Sequence, residues 1–247
     1  MSVCAVETVI HGIADKNDVL HLGIKFGSAP FGGAEEFSLH PLDDKGNLKR
    51  MRYPVEQKAR TRQKIVAAAA RSFRQRGCES NGIARLMKEL GLTHGGFYRH
   101  FENKGELYAE AIARGFEEVA DRMVAAAEGA PAGQELHAMI ERYLSVEHLN
   151  DPGTGCVLAA LAPEFARQPV RVRTRINESM RGFMERMLRY IPGRDAAEKR
   201  GRFFVLFPGM AGVLVTARAI VDAQRRKEIL ADAKSFYLKI FAGGKAA

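Results

Sequence analysis

Residues 77–107, GCESNGIARLMKELGLTHGGFYRHFENKGEL, constrain this chain more than any other stretch. Ile83, Leu86 and Met87 repeat at helical spacing up to a tight turn at Gly91, and a second short helix is expected from Thr93 to Phe101. Two short helices joined by a glycine turn form a helix-turn-helix, whose second member fits the DNA major groove. That second helix carries Gly95 and Gly96 side by side. A helix-interior glycine costs about 1 kcal/mol relative to alanine, so the pair needs a reason, and close approach of backbone to bases supplies one. Phe97 and Phe101, four apart, are expected to face inward, leaving Tyr98, Arg99 and His100 towards solvent or DNA.

Charge gathers in the same place. Between residues 51 and 104 twelve lysines and arginines stand against four acids, Glu56, Glu79, Glu89 and Glu102, so this segment carries +8 of a total of +9. A basic footprint so confined suits a polyanion. Overall composition, 46% hydrophobic and 27% charged, excludes a disordered or fibrous chain. The longest apolar run, Phe203–Val215, is shorter than the about 20 residues a bilayer span needs. It also holds Pro208 and two glycines, so a buried core helix and no membrane partner are expected. Cys4, Cys78 and Cys156 are too few and too scattered for a disulfide framework or zinc spacing, which points to a reduced, cytoplasmic protein. No Ser/His/Asp set, HExxH motif, Walker loop or dinucleotide fingerprint occurs, so no enzyme chemistry, metal or cofactor is expected.

Three segments are expected. Residues 1–50 carry six glycines, Pro30 and Pro41 without helical period, and are expected as a poorly ordered extension or a misassigned start upstream of Met51. Residues 56–106 form the helix-turn-helix domain, and 107–247 a larger helical domain. In the first helix Ile65, Ala69 and Phe73 share a face opposite Lys58, Arg62 and Lys64. Asn103 with Glu106 makes a capping box for a helix through about Ala127. Further helices are expected over 135–148, 156–166, 170–191, 195–221 and 224–241. With no convincing strand after residue 50, the fold class is all-α with roughly nine helices.

Residues 60–107 resemble the DNA-binding domain of TetR-family transcriptional regulators. The resemblance rests on Arg62 to Phe73, on Gly77, on Ile83-Ala84, on Gly91-Leu92-Thr93, on Phe97-Tyr98 with His100-Phe101, and on Lys104 ahead of Leu107. Where the family often has a threonine capping the second helix, this chain has Ser80-Asn81-Gly82, so Ser80 or Asn81 is expected to serve. The candidates for contact with double-stranded DNA are Arg62, Thr93, His94, Gly95, Gly96, Tyr98, Arg99, His100 and Lys104. Thr93 is the expected N-cap, and Lys104 the expected phosphate clamp.

The resemblance implies that the helices after residue 107 bind an effector and dimerise. Phe165, Met180, Phe183, Met184 and Met187 are the candidates to line a pocket for a small apolar effector, methionine walls being adaptable. The apolar faces of 203–214 and of Ile229, Ala233, Phe236 and Ile240 are candidates for a four-helix homodimer interface. A ligand-responsive repressor binding a palindromic operator as a dimer is therefore expected. The alternatives are a ligand-independent architectural DNA-binding protein and a thiol-based redox or electrophile sensor. The sensor would use Cys156, which opens an apolar helix.

Overall fold

Helix α1, Val55–Arg76, opens the part of the chain that the computed structural model describes, residues 55–78 and 82–242. Ile65, Ala69 and Phe73 are buried along one face, as their spacing predicts. Gly77 ends the helix at φ 77°, a left-handed conformation that glycine adopts without a Cβ clash. Helix α2, Ile83–Glu89, starts at Gly82 with no side-chain cap. Ser80 and Asn81, and the whole of 1–50, lie outside the described residues.

Gly91, at φ 68°, turns the chain into α3, His94–Phe97. The helix expected over 93–101 is thus a single turn. Beyond it the carbonyls of Gly96 and Phe97 accept from the N–H groups of Arg99 and His100, three residues on. Two adjacent glycines, the poorest helix formers after proline, account for the shortening. Asn103 then caps α4, Lys104–Glu128, accepting from Glu106 N at 3.0 Å. The Glu106 carboxylate returns to the N–H of Glu102 at 2.7 Å, a capping box displaced by one residue.

Helix α4 is the central rod, packed against α8 and α5. The helix expected over 135–148 is two, α5 (Glu135–Tyr143) and α6 (Val146–Asn150). Ser145 separates them, its hydroxyl accepting from His148 N at 3.1 Å as an N-cap. After α7 (Val157–Phe165), α8 (Val170–Met187), α9 (Ala196–Ala219) and α10 (Ala223–Tyr237), the described chain closes in a π turn, Leu238–Ala242. Ten α-helices and no strand occur among the described residues, one helix more than the sequence suggests because of the break at Ser145.

Phe183 of α8 sits at the centre of the body, its ring 5.8 Å from Phe116, 6.1 Å from Phe203 and 5.4 Å from Phe207. Each such buried side chain contributes about 2 kcal/mol. Helix α9 is long and apolar enough to cross a membrane by composition, yet Phe203, Leu206, Phe207, Met210 and Leu214 pack into the protein core. Its other side leaves Phe204 57% and Val205 63% exposed, so within one chain the helix is buried on one side only.

Two joints tie α1 to the body. The Arg74 side chain, 2% exposed, pairs with Glu118 at 2.7 Å and directs Nη1 at the carbonyls of Gly115 and Gly155, 3.5 and 3.4 Å away. Gly115 is where α4 lets it pass: a Cβ there would lie 2.7 Å from Val157 Cγ2 and 3.0 Å from Arg74 Nη1. At the second joint, the Glu164 carboxylate of α7 accepts from Cys78 N at 3.0 Å.

Candidate nucleic-acid interface

The interface is built on a buried aromatic base. Phe97 and Phe101 stack with centroids 5.3 Å apart, both buried against Leu86 and Met87 of the same core. That base fixes which side of the α3 turn faces outward. Thr93 caps the turn, its hydroxyl accepting from Gly96 N at 3.2 Å. His94 and Tyr98 stand outside, ring edge to face at 5.8 Å, and Tyr98 is 60% exposed with its other contact on Phe97. Arg99 is exposed beside them.

The two glycines have different surroundings. A Cβ on Gly95 would meet nothing within 4 Å, so this position presents bare backbone to open space. A Cβ on Gly96 would meet Thr93 Oγ1 at 3.3 Å and Met87 Cε at 3.8 Å, so its smallness serves the cap and the packing inside. Close approach to bases is a reason for Gly95 alone.

Two of the expected contacts have side chains bonded to internal partners, and a third is half-buried. Arg62 pairs with Glu106 at 2.9 Å and Glu110 at 2.6 Å, lies 4.2 Å over the Phe101 ring and donates to the His100 carbonyl. Two carboxylates neutralise its charge, and the guanidinium staples α1 to α4 and to the turn after α3. Lys104 donates to the Cys78 carbonyl at 2.6 Å, which fixes the start of α4 to the end of α1. His100 is half-buried, and its Nδ1 is buried without a partner. Burial, then the charges of Lys58, Arg62 and Arg99, hold its pKa below the usual histidine value, so it is a neutral turn residue at pH 7. Those charges also place exposed Lys58 of α1 near the turn after α3. Its position opposite the apolar face of α1 was the sequence signal for it.

The proposed effector residues do not converge. Phe183 and Met187 are core, because the α8 stripe that carries them is the face packed on α4. Met180 and Met184 are half-buried at the edge of that core. Phe165 lines a separate cavity of about 410 Å³ with Val170 and Ile176. Phe183 reaches the floor of another, about 450 Å³, between Phe116 and Gly182. Cys156 is buried, its N–H donating to His148 Nε2 at 2.7 Å, so the thiol is closed off from the solvent side that a sensor needs.

A capped, exposed single turn on an aromatic base, preceded by a glycine turn and a basic α1, defines a helix-turn-helix DNA-binding domain. Residues 65–111 match the family model described as bacterial regulatory proteins, tetR family. Over these helices the chain is similar to the DNA-binding domain of the tetR family of bacterial regulatory proteins. Over 96 residues it is 32% identical to the HTH-type transcriptional regulator TtgR of Pseudomonas putida, covering 39% of this chain and 45% of that one. The match thus spans about half the length of this curated relative. Two solved structures share the fold. Reduced NemR of E. coli superposes with a TM-score of 0.60 at 17% identity, over 76% of this chain and 100% of that one. FadR of Bacillus subtilis in complex with stearoyl-CoA does so with a TM-score of 0.56 at 18% identity, over 74% and 98%.

Proposed function

We propose that this protein is a one-component transcriptional regulator, a ligand-responsive repressor that binds a palindromic operator as a homodimer in the cytoplasm. The observation that carries the reading is the exposed face of α3. His94, Gly95, Tyr98 and Arg99 stand clear of the core with Lys58 beside them, while Phe97 and Phe101 hold the turn rigid from behind. Bare backbone, an aromatic hydroxyl and uncompensated cations are the groups that contact phosphates and base edges. Arg62, Thr93, His100 and Lys104 hold that face in place through their internal bonds. The domain division at about residue 106 belongs to the same proposal, with the helices beyond it carrying effector and partner sites.

Dimerisation is supported by the apolar side of α9, α10 and the closing π turn, where Phe204, Val205, Val215, Phe236 and Ile240 are exposed. A two-fold pairing through this surface matches the symmetry of a palindromic operator, with half-sites about 34 Å apart per helical turn. Ligand response is supported by the FadR likeness, that protein being bound to stearoyl-CoA, and by the two joints between α1 and the body. The test is fluorescence anisotropy on duplexes from the chain's own upstream region and on random duplexes, across a salt series. The expected result is tighter binding to the upstream region, with a salt slope set by the phosphate contacts. Equal binding to both at every salt concentration rejects the repressor reading and favours the architectural one.

A further inference from the structure

Between α4, α5 and α6 lies a cavity of about 230 Å³, lined by Val119, Arg122, Met123, Arg142, His148 and Thr154. Glu147 and Asp151 also reach it, but both are already balanced. Asp151 accepts from Gly153 N at 3.1 Å and Thr154 Oγ1 at 2.9 Å and faces Arg71 at 3.6 Å. Glu147 is paired with Arg142. Behind the wall, Glu118 is taken by Arg74 and Arg114, and Asp121 by Arg186. Arg122 makes no ion pair among the described residues; it donates only to the Thr154 carbonyl. Burial, then the neighbouring Arg74, pushes its pKa down against the opposing pull of Glu118 and Asp121. Arg218 of α9 is in the same condition, donating to the carbonyls of His148 at 2.7 Å and Leu149 at 3.1 Å.

We propose that this cavity binds a small monocarboxylate, its carboxylate on Arg122 and its apolar tail against Val119 and Met123. A planar guanidinium accepts a carboxylate through two parallel bonds. One unpaired arginine on the wall calls for one negative charge, and the volume admits a short acid but not a long acyl chain. The site has a direct path to α1. Arg122 holds Thr154, and the loop of residues 151–155 holds α1 through Arg71 on Asp151 and Arg74 on the Gly155 carbonyl. A ligand on Arg122 competes with the Thr154 carbonyl and so loosens that grip. Binding stands on the cavity alone; its effect on DNA rests on the function proposed above.

The experiment uses the full chain, with propionate, butyrate and benzoate as probes, their amides as neutral isosteres, and inorganic phosphate. Thermal shift and isothermal titration are expected to register the acids but neither the amides nor phosphate. Arg122→Gln is expected to weaken benzoate binding by at least about tenfold, while Arg181→Gln, on the exposed side of α8 and outside the cavity, keeps it. No stabilisation at millimolar acid, equal response to acid and amide or to phosphate, or undiminished binding by folded Arg122→Gln overturns the site. The acid and amide arms decide it on the unaltered chain should that variant fail to fold. Anisotropy on upstream DNA is run separately. Release by benzoate supports the regulatory path, and unchanged DNA affinity with benzoate bound overturns that path. A chain that binds benzoate but no DNA refutes the proposed function and leaves the site standing.

Discussion

At position 95 the missing side chain does two opposed things. It removes helix stability and leaves backbone open to a groove. Gly95→Ala puts a methyl group into empty space, so it is expected to raise stability by up to about 1 kcal/mol. The same methyl group is expected to lower DNA affinity, since it stands where a base edge would approach. Urea unfolding and anisotropy on the same variant check both signs. His148 gives a second residue-scale prediction. Burial lowers its pKa to about 4, although its ring bonds the Tyr143 carbonyl, and its Nε2 accepts from Cys156 N. Unfolded, it takes a proton near 6.5. Above that pH both states are neutral and its contribution is whole. Between 6.5 and 4 only the unfolded chain gains the proton, so stability falls with pH, by at most about 3 kcal/mol in all. Urea midpoints between about pH 7.5 and about pH 5 should therefore drop further for the wild type than for His148→Gln.

At the scale of elements, the bonds of Arg62 carry the geometry of the DNA-reading turn. Arg62→Met removes the guanidinium that lies over Phe101 and releases Glu106, Glu110 and the His100 carbonyl. It is expected to destabilise by about 1–3 kcal/mol, leaving Glu106 without its ion pair and Glu110 with only the longer one to Arg175 at 3.5 Å. It should also weaken DNA binding without removing a DNA contact, which a thermal melt alongside anisotropy would show. The sequence made the existence of α1 to α4 plain, because Ile65, Ala69 and Phe73 share a period and Asn103 with Glu106 form a cap. It did not show that Arg62 and Lys104 point inward. A basic residue in a basic segment reads as a phosphate contact until Glu110 and the Cys78 carbonyl, distant in sequence, are seen beside it. Ser145 was legible in principle, since a serine three residues before His148 is a cap pattern, but the apolar periodicity on both sides of it concealed the break.

Over the whole molecule, packing divides the residues expected to line one pocket between the core and two separate cavities. In sequence Phe183, Met184 and Met187 read as a soft apolar wall, and the same stripe is what α8 needs to bury against α4. Charge balance, which identifies Arg122, depends on contacts among five helices and has no local sequence mark. The exposed side of α9 was legible as surplus apolar surface, and it carries a prediction about assembly. Phe204→Glu or Val205→Glu is expected to leave the monomer fold intact, both side chains being outside the core, while shifting sedimentation from dimer to monomer. An unchanged sedimentation coefficient in both variants would place the two-fold elsewhere.

Gly115 links these scales. Arg74 reaches Glu118 and the Gly155 carbonyl only because α4 has a notch one methyl group deep at that point. Filling the notch, as in Gly115→Ala, pushes against Val157 and the guanidinium together. The melting curve should then lose cooperativity, with α1 to α3 coming apart before the remainder, and the variant should hold DNA but cease to answer an effector. On the function proposed above, the link between an effector and the DNA-reading turn rests on a hollow one methyl group deep.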